Sequence, residues 1–288
     1  MKKVVLFLCS LLVVGMLAGC SSSDTTTESA ETTQSTTEES TTEEGTEQTE
    51  GETADAENPF VGKTVKVGCS ATFVPFESIE MAADGTKTYV GMNIDIVKAV
   101  VEKNGGTVEF QDMPFKSLIG AIQAGQIDFC SGGMAPTEER KESLDFSEIF
   151  FYPRNAIVYR SEDNYPDLAS LEGKTIAYVF GTNYQQVAES VPNATTTGIQ
   201  GSPACIEEVK SGRADACIVD GAGATEFLKQ SDGLSMSLLD KTEDCFAIGF
   251  PKESPYYETF NNTLKEMMEN GELDEIIASH LNEQFILD

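Results

Sequence analysis

The chain has 288 residues, with 48 Asp and Glu against 19 Lys and Arg, a formal net charge of −29 at pH 7, a single His and no Trp. That acidity excludes a nucleic-acid binder as the default reading, because a phosphate backbone calls for clustered cations. The lone His280 leaves no imidazole pair for most zinc sites and argues against a Ser-His-Asp centre.

In chain order, Lys2 and Lys3 precede an apolar run from Val4 to Leu17 that only Ser10 and Gly15 interrupt. A positive start, a short apolar centre and small residues before a cut site describe an export signal over residues 1–19. The run falls short of the roughly 20 residues that a membrane span takes. Its ending, Leu17-Ala18-Gly19-Cys20, resembles the lipobox of bacterial lipoproteins. That resemblance implies a diacylglyceryl group on Cys20, a palmitate-type anchor on the extracellular face of the cell membrane. Two acyl chains hold stably where one does not. Residues 21–58 contain 12 Thr, 6 Ser, 10 Glu and 2 Asp and no Lys, Arg, Leu, Ile or Val. Such a stretch has nothing to bury against the entropy of ordering, so 20–58 reads as the lipidated Cys and a disordered tether. If flexible it spans roughly 35 Å, which suits a Gram-positive-type envelope.

From residue 59 the pattern alternates strands and helices. Thr64 to Cys69 reads as a strand; Asn93 reads as the cap of a helix with Ile94, Val97 and Val101 on one face, stopped at Gly105-Gly106. Val108 to Gln111 is a second strand, Leu118 to Ala124 a helix, and Ile127 to Cys130 a third strand. Strands separated by helices argue for parallel pairing in an α/β layered domain. The pattern then restarts. Gly62-Lys63-Thr64 returns as Gly173-Lys174-Thr175, and the Gly-x-x-Asp of 125–128 returns at 212–215, in the same order relative to the strands. Two units built alike predict two similar lobes. The strand-like Cys245 to Phe250 and the helical spacing from Tyr256 onward open no third unit, so they are expected to return to the first lobe. Five Cys remain beyond residue 20, with no CxxC spacing. They read as buried thiols, a Cys205–Cys217 bridge staying open.

Several runs together make a family visible: Phe73-Val74-Pro75-Phe76-Glu77, Val90-Gly91-Met92-Asn93-Ile94-Asp95-Ile96, Thr137-Glu138-Glu139-Arg140-Lys141 leading to Leu144-Asp145-Phe146-Ser147, then Leu171-Glu172-Gly173-Lys174-Thr175 and Gly212-Arg213-Ala214-Asp215-Ala216. Over 60–288 the chain resembles the polar-amino-acid solute-binding proteins of ABC transporters, family 3. The resemblance implies a two-lobed periplasmic-binding-protein-like α/β fold, each lobe a mainly parallel sheet with flanking helices. Lobe 1 would take 59–151 plus 247–288 and lobe 2 would take 152–246, with hinge crossings near 151–154 and 242–246. A monomer, with a separate permease and ATPase as partners, is implied as well.

A free amino acid presents a carboxylate beside an ammonium, so its pocket needs a cation and an anion. By resemblance Arg140 matches the carboxylate-binding Arg, whose planar fork makes two parallel bonds; without the family, its acidic neighbours would read as a surface ion pair. Asp220 matches the ammonium-binding Asp, and Phe73 and Phe115 the aromatic walls. Gly132 and Gly133 let main chain approach the ligand, and Thr182 and Asn183 offer N–H groups at a helix start. Glu77 reads as support for its loop. Ala135 stands where many members carry Ser or Thr. Ser70 stands where an acid marks glutamine or basic-amino-acid binders, so a cationic side chain would lack a buried counter-charge. With Val179 and Val219 also apolar, the expectation is a neutral side chain. No catalytic residue, cofactor or metal is expected. The alternatives are a cyclohexadienyl dehydratase-like enzyme, against which Ser70 argues, and a ligand sensor for a separate receptor. The anchor has its own test: Cys20→Ala is expected to release the protein into the medium or leave unprocessed precursor, as read by fractionation and N-terminal sequencing.

Overall fold

A computed structural model describes residues 58–240 and 244–285, all within one unit that runs from Thr53 to Asp288. The export signal, Cys20 and residues 21–57 of the tether lie outside the described residues, as do 242 and 243 of the second expected crossing. Asn58, expected as the last tether residue, is already held: it donates to Asn104 Oδ1 at 3.0 Å, and its own Oδ1 accepts from Phe60 N at 3.0 Å.

Thirteen strands are described: β1 Thr64–Cys69, β2 Thr72–Phe73, β3 Glu77–Met81, β4 Lys87–Val90, β5 Thr107–Asp112, β6 Phe129–Met134, β7 Leu144–Phe146, β8 Asn155–Arg160, β9 Thr175–Val179, β10 Thr195–Ile199, β11 Ala216–Asp220, β12 Leu234–Leu238 and β13 Ala247–Pro251. The helices are α1 Met92–Lys103, α2 Leu118–Gln123, α3 Glu138–Lys141, α4 Tyr184–Glu189, α5 Ser202–Lys210, α6 Gly221–Leu228, α7 Tyr257–Glu269 and α8 Glu272–His280. One lobe's sheet has the order β5-β1-β6-β13-β7 and the other's β10-β9-β11-β8-β12. In both, the first three strands pair in parallel and the fourth is antiparallel to each of its neighbours. The reversed strand is the one that has just crossed between lobes. β8 follows the first crossing and β13 the second, and Phe151 and Phe246 pair as an antiparallel bridge between them. Their link is Phe246 N to Phe151 O at 2.8 Å.

The repeated Gly-x-x-Asp has the same physical cause in each lobe. Gly125 and Gly212, at φ 63° and 74°, turn the chain out of α2 and α5. The Asp that follows then clamps the strand that opens the repeat, β1 in one lobe and β9 in the other. Asp128 Oδ2 accepts from Lys66 N at 2.7 Å while Asp128 N donates to Lys66 O; Asp215 does the same to Thr175, at 2.8 Å for each bond. The C-terminal helices pack on the first lobe. Lys103 meets Glu272 at 2.9 Å, and His280 Nε2 and Asp95 Oδ2 lie 2.8 Å apart. All five described Cys are free and buried.

Asn93 is not the cap of α1. Gly91 holds that position, and Asn93 lies in the first turn, fully buried, donating to Glu77 Oε1 at 3.2 Å. Gly91 has φ 128°, and a Cβ there would fall 2.4 Å from Phe76 O. This close approach lets Met92 N and Asn93 N donate to Pro75 O and Phe76 O, which fixes the Phe73–Phe76 loop on the helix start. Gly91→Ala is therefore expected to cost at least about 2 kcal/mol through strain and displaced main chain, read as a lowered urea midpoint.

Candidate functional site

Between the lobes lies a cleft with about 480 Å³ of space between atoms, open solvent at its mouth included. It gathers Ser70, Phe73, Phe115, Gly132, Gly133 and Ala135 from one lobe, together with Arg140, and faces them with Val179, Thr182 and Asn183 from the other. The strands β1 and β6 end here, as ligand sites at strand ends do in open α/β sheets. Gly133 has φ 55°, and a Cβ there would press on Phe73 and Phe246 at 3.1–3.3 Å. Backbone therefore forms that part of the wall.

Arg140 projects from α3, whose first turn is capped by Thr137 Oγ1. Its guanidinium lies over the Phe115 ring, 5.5 Å from the centroid. One arm donates to Ala135 O at 2.8 Å in its own lobe and the other to Gly181 O at 2.9 Å across the cleft. Burial pulls its pKa down, and Asp244 opposes that pull.

Asp220, by contrast, does not line the cleft. Its side chain caps α6, accepting from Gly223 N at 2.9 Å, and burial pushes its pKa up to about 7. The carboxyl that does line the cleft is Asp244, on the second crossing, which the sequence reading missed. It accepts from Asn183 Nδ2 at 3.0 Å and from Cys245 N at 3.1 Å, and burial raises its pKa to about 6. Tyr184 also lines the cleft; burial, then Asp220 and Asp244, push its hydroxyl well above the ordinary range. The only sequence signal for Asp244 was its place just ahead of the returning strand. Thr182, expected as a main-chain donor, turns its N–H to Val179 O at 3.3 Å, while Asn183 meets the cleft with its side-chain amide. Val219 is buried in the core and does not line the cleft.

Behind the wall Glu77 is fully buried and accepts three bonds: from Ser131 Oγ at 2.7 Å, Ser70 N at 2.8 Å and Asn93 Nδ2 at 3.2 Å. Burial pushes its pKa up to about 7 against those three donors. Its role is to join the loop after β1 to β6 and α1.

The model of the bacterial extracellular solute-binding proteins, family 3, matches residues 65–283. The arginine-binding extracellular protein ArtP of Bacillus subtilis (strain 168) is 29% identical over 282 residues, 96% of each chain. ABC transporter arginine-binding protein 1 of Escherichia coli (strain K12) is 28% identical over 219 residues, 74% of this chain and 88% of that one. Among solved structures, the substrate binding protein of an amino acid ABC transporter is similar with a TM-score of 0.70 and 31% identity, covering 76% of this chain and 99% of its own. An ancestral arginine-binding protein, solved with arginine bound, gives 0.69 and 32%, covering 76% and 98%.

The raised carboxyls set a pH dependence with a definite sign. Asp220 titrates near 7 when folded against an ordinary 3.8, so between those values the folded chain keeps a proton that the unfolded chain has released. Stability contributed this way is present at low pH and falls as pH rises through that window. Asp220→Asn, which keeps an oxygen for Gly223 N, is expected to flatten the fall in Tm between pH 4 and 7. An unchanged slope in thermal melts across that range would mean that Asp220 is ionised throughout.

Proposed function

Because the chain belongs to the bacterial extracellular solute-binding proteins, family 3, we propose that it captures a free amino acid between its lobes and delivers it to the permease and ATPase of an ABC importer. The observation that carries this reading is the Arg140 fork, half-buried in the cleft, stacked on Phe115 and reaching main-chain carbonyls of both lobes. An α-carboxylate entering between those carbonyls takes the fork over bidentately. The ammonium then goes to the acidic end, where Asp244 faces the cleft and Asp220 and Tyr184 lie behind it. Phe73 and Phe115 flank the side chain, and Ser70 meets its far end. Taken alone, Ser70 favours a neutral side chain; the names of the arginine-binding relatives favour a cationic one.

Binding and release, rather than turnover, is the proposed activity. One similar solved structure is an ancestral amino acid-binding protein described as a precursor of cyclohexadienyl dehydratase, with a TM-score of 0.67 and 28% identity. A dehydratase needs a protonated acid free to reach a leaving hydroxyl. Here Asp244 Oδ1 is held by Asn183 and Cys245 N, which favours the binding reading. Lipid attachment through Cys20 at the outer face of the membrane, and action as a monomer, complete the proposal.

Calorimetric titration of the purified protein with the common amino acids tests it. Losing one member of a desolvated charge pair costs about 2–5 kcal/mol, so Arg140→Ala is expected to weaken binding by roughly 30- to 4,000-fold. The ligand's α-carboxamide is expected to bind the wild type poorly and to lose little more in Arg140→Ala. Equal losses for acid and amide in that variant would place Arg140 outside the carboxylate site. If no amino acid gives heat or stabilisation, the reading falls.

A further inference from the structure

The cleft does not end at Ser70. It runs on, through Ser70, Thr72, Phe115, Val179 and Gly201, into a groove of about 650 Å³, solvent at its mouth included. Among the described residues, only Asp112 and Lys116 carry charge on the wall of this extension. We infer that Asp112 supplies, from the neighbouring strand, the counter-charge that Ser70 lacks, so that the far end of the cleft takes a cationic amino-acid side chain. This rests on the amino-acid reading above and names the ligand class within it.

Strand register places the residue. β1 and β5 are parallel with Cys69 opposite Asp112, so Asp112 sits at the same sheet edge as the loop that carries Ser70. Asp112 Oδ1 accepts from Ala71 N at 2.9 Å, and Met113 N donates to Cys69 O at 3.0 Å. The first bond ties the carboxyl to the 69–71 turn and the second ties its strand there, and no described residue bonds Oδ2. The charge missing from position 70 thus returns one strand away, held by main chain rather than by a cation.

The other charged group on the groove wall has an engagement of its own. Lys116 is turned to the second lobe, its Nζ 5.2 Å from the Phe180 ring centroid. Glu77 is buried behind the wall and bonded three times. Cys69 and Tyr89 feel the Asp112 charge but do not line the groove. A ligand with a long apolar stem and a charged tip fits the sequence of surfaces: stem between Phe73 and Phe115, tip beyond Ser70.

The test compares L-arginine with L-citrulline, its neutral near-isostere, by calorimetry on the full protein. The wild type is expected to favour arginine by at least about tenfold. Asp112→Asn keeps an oxygen for Ala71 N and removes only the charge, so the arginine-over-citrulline ratio is expected to fall by at least about tenfold. Adding Ser70→Asp to that variant puts a carboxylate back at the same edge and is expected to restore the ratio, which a purely structural role for Asp112 would not produce. An unchanged ratio in Asp112→Asn, or a wild type that prefers citrulline or another neutral amino acid, overturns the assignment while leaving amino-acid capture standing. Failure to bind any amino acid removes both.

Discussion

The pairing of Phe151 with Phe246 is the constraint on which the rest of the molecule hangs. The chain crosses between lobes at two points, and the bonds Phe246 N to Phe151 O and Phe150 N to Phe246 O hold the crossings side by side. Rings close over the bridge. Phe246 lies 5.5 Å from Phe151, 5.1 Å from Phe76 and 5.7 Å from Phe73, centroid to centroid, and each such contact contributes about 0.5–1.5 kcal/mol beyond area burial. Because Phe246 and Phe73 also line the cleft, the packing around this bridge forms the floor of the site.

On that floor the site is assembled from polar groups that already have partners. Glu77 holds the Ser70 loop, β6 and α1 in register without touching the cleft. Arg140 and Asn183 reach their partners across it or at its edge. On the proposed reading an incoming carboxylate would take over such bonds, so affinity would be a difference between two well-satisfied arrangements.

Most of the architecture was legible in the sequence because apolar strands and Gly punctuation carried it. Thr64–Cys69 is buried from Val67 onward, and the doubled Gly-x-x-Asp proved to be a doubled clamp on the strand that each Gly-Lys-Thr opens. The hairpin of β3 and β4 was not legible, since its exposed and half-buried residues show no period that sets them apart from a loop. Asn93 has the residue type of a cap, and only tertiary contact with Glu77 shows that it is a buried donor. Residues that resemblance gathered around a ligand lie around the cleft, Asp220 apart: its residue type was readable, but the direction of its side chain was decided by the N–H of Gly223. Asp244 enters from the irregular segment ahead of β13, where neither strand nor helix periodicity points to one side chain.

The placement of β13 has a consequence for how the chain comes to be folded. In the second lobe β8 to β12 are consecutive, so that sheet is complete once Leu238 has emerged. In the first lobe the strand between β6 and β7 is β13, and neither can pair through it until the chain has reached Pro251. A chain that appears from its N-terminus therefore finishes its second half first, while β6 and β7 wait with open edges for a distant strand. Unpaired edges are where chains pair wrongly with one another. The stretch of synthesis between Met134 and Pro251 is therefore the interval in which those two edges stand open.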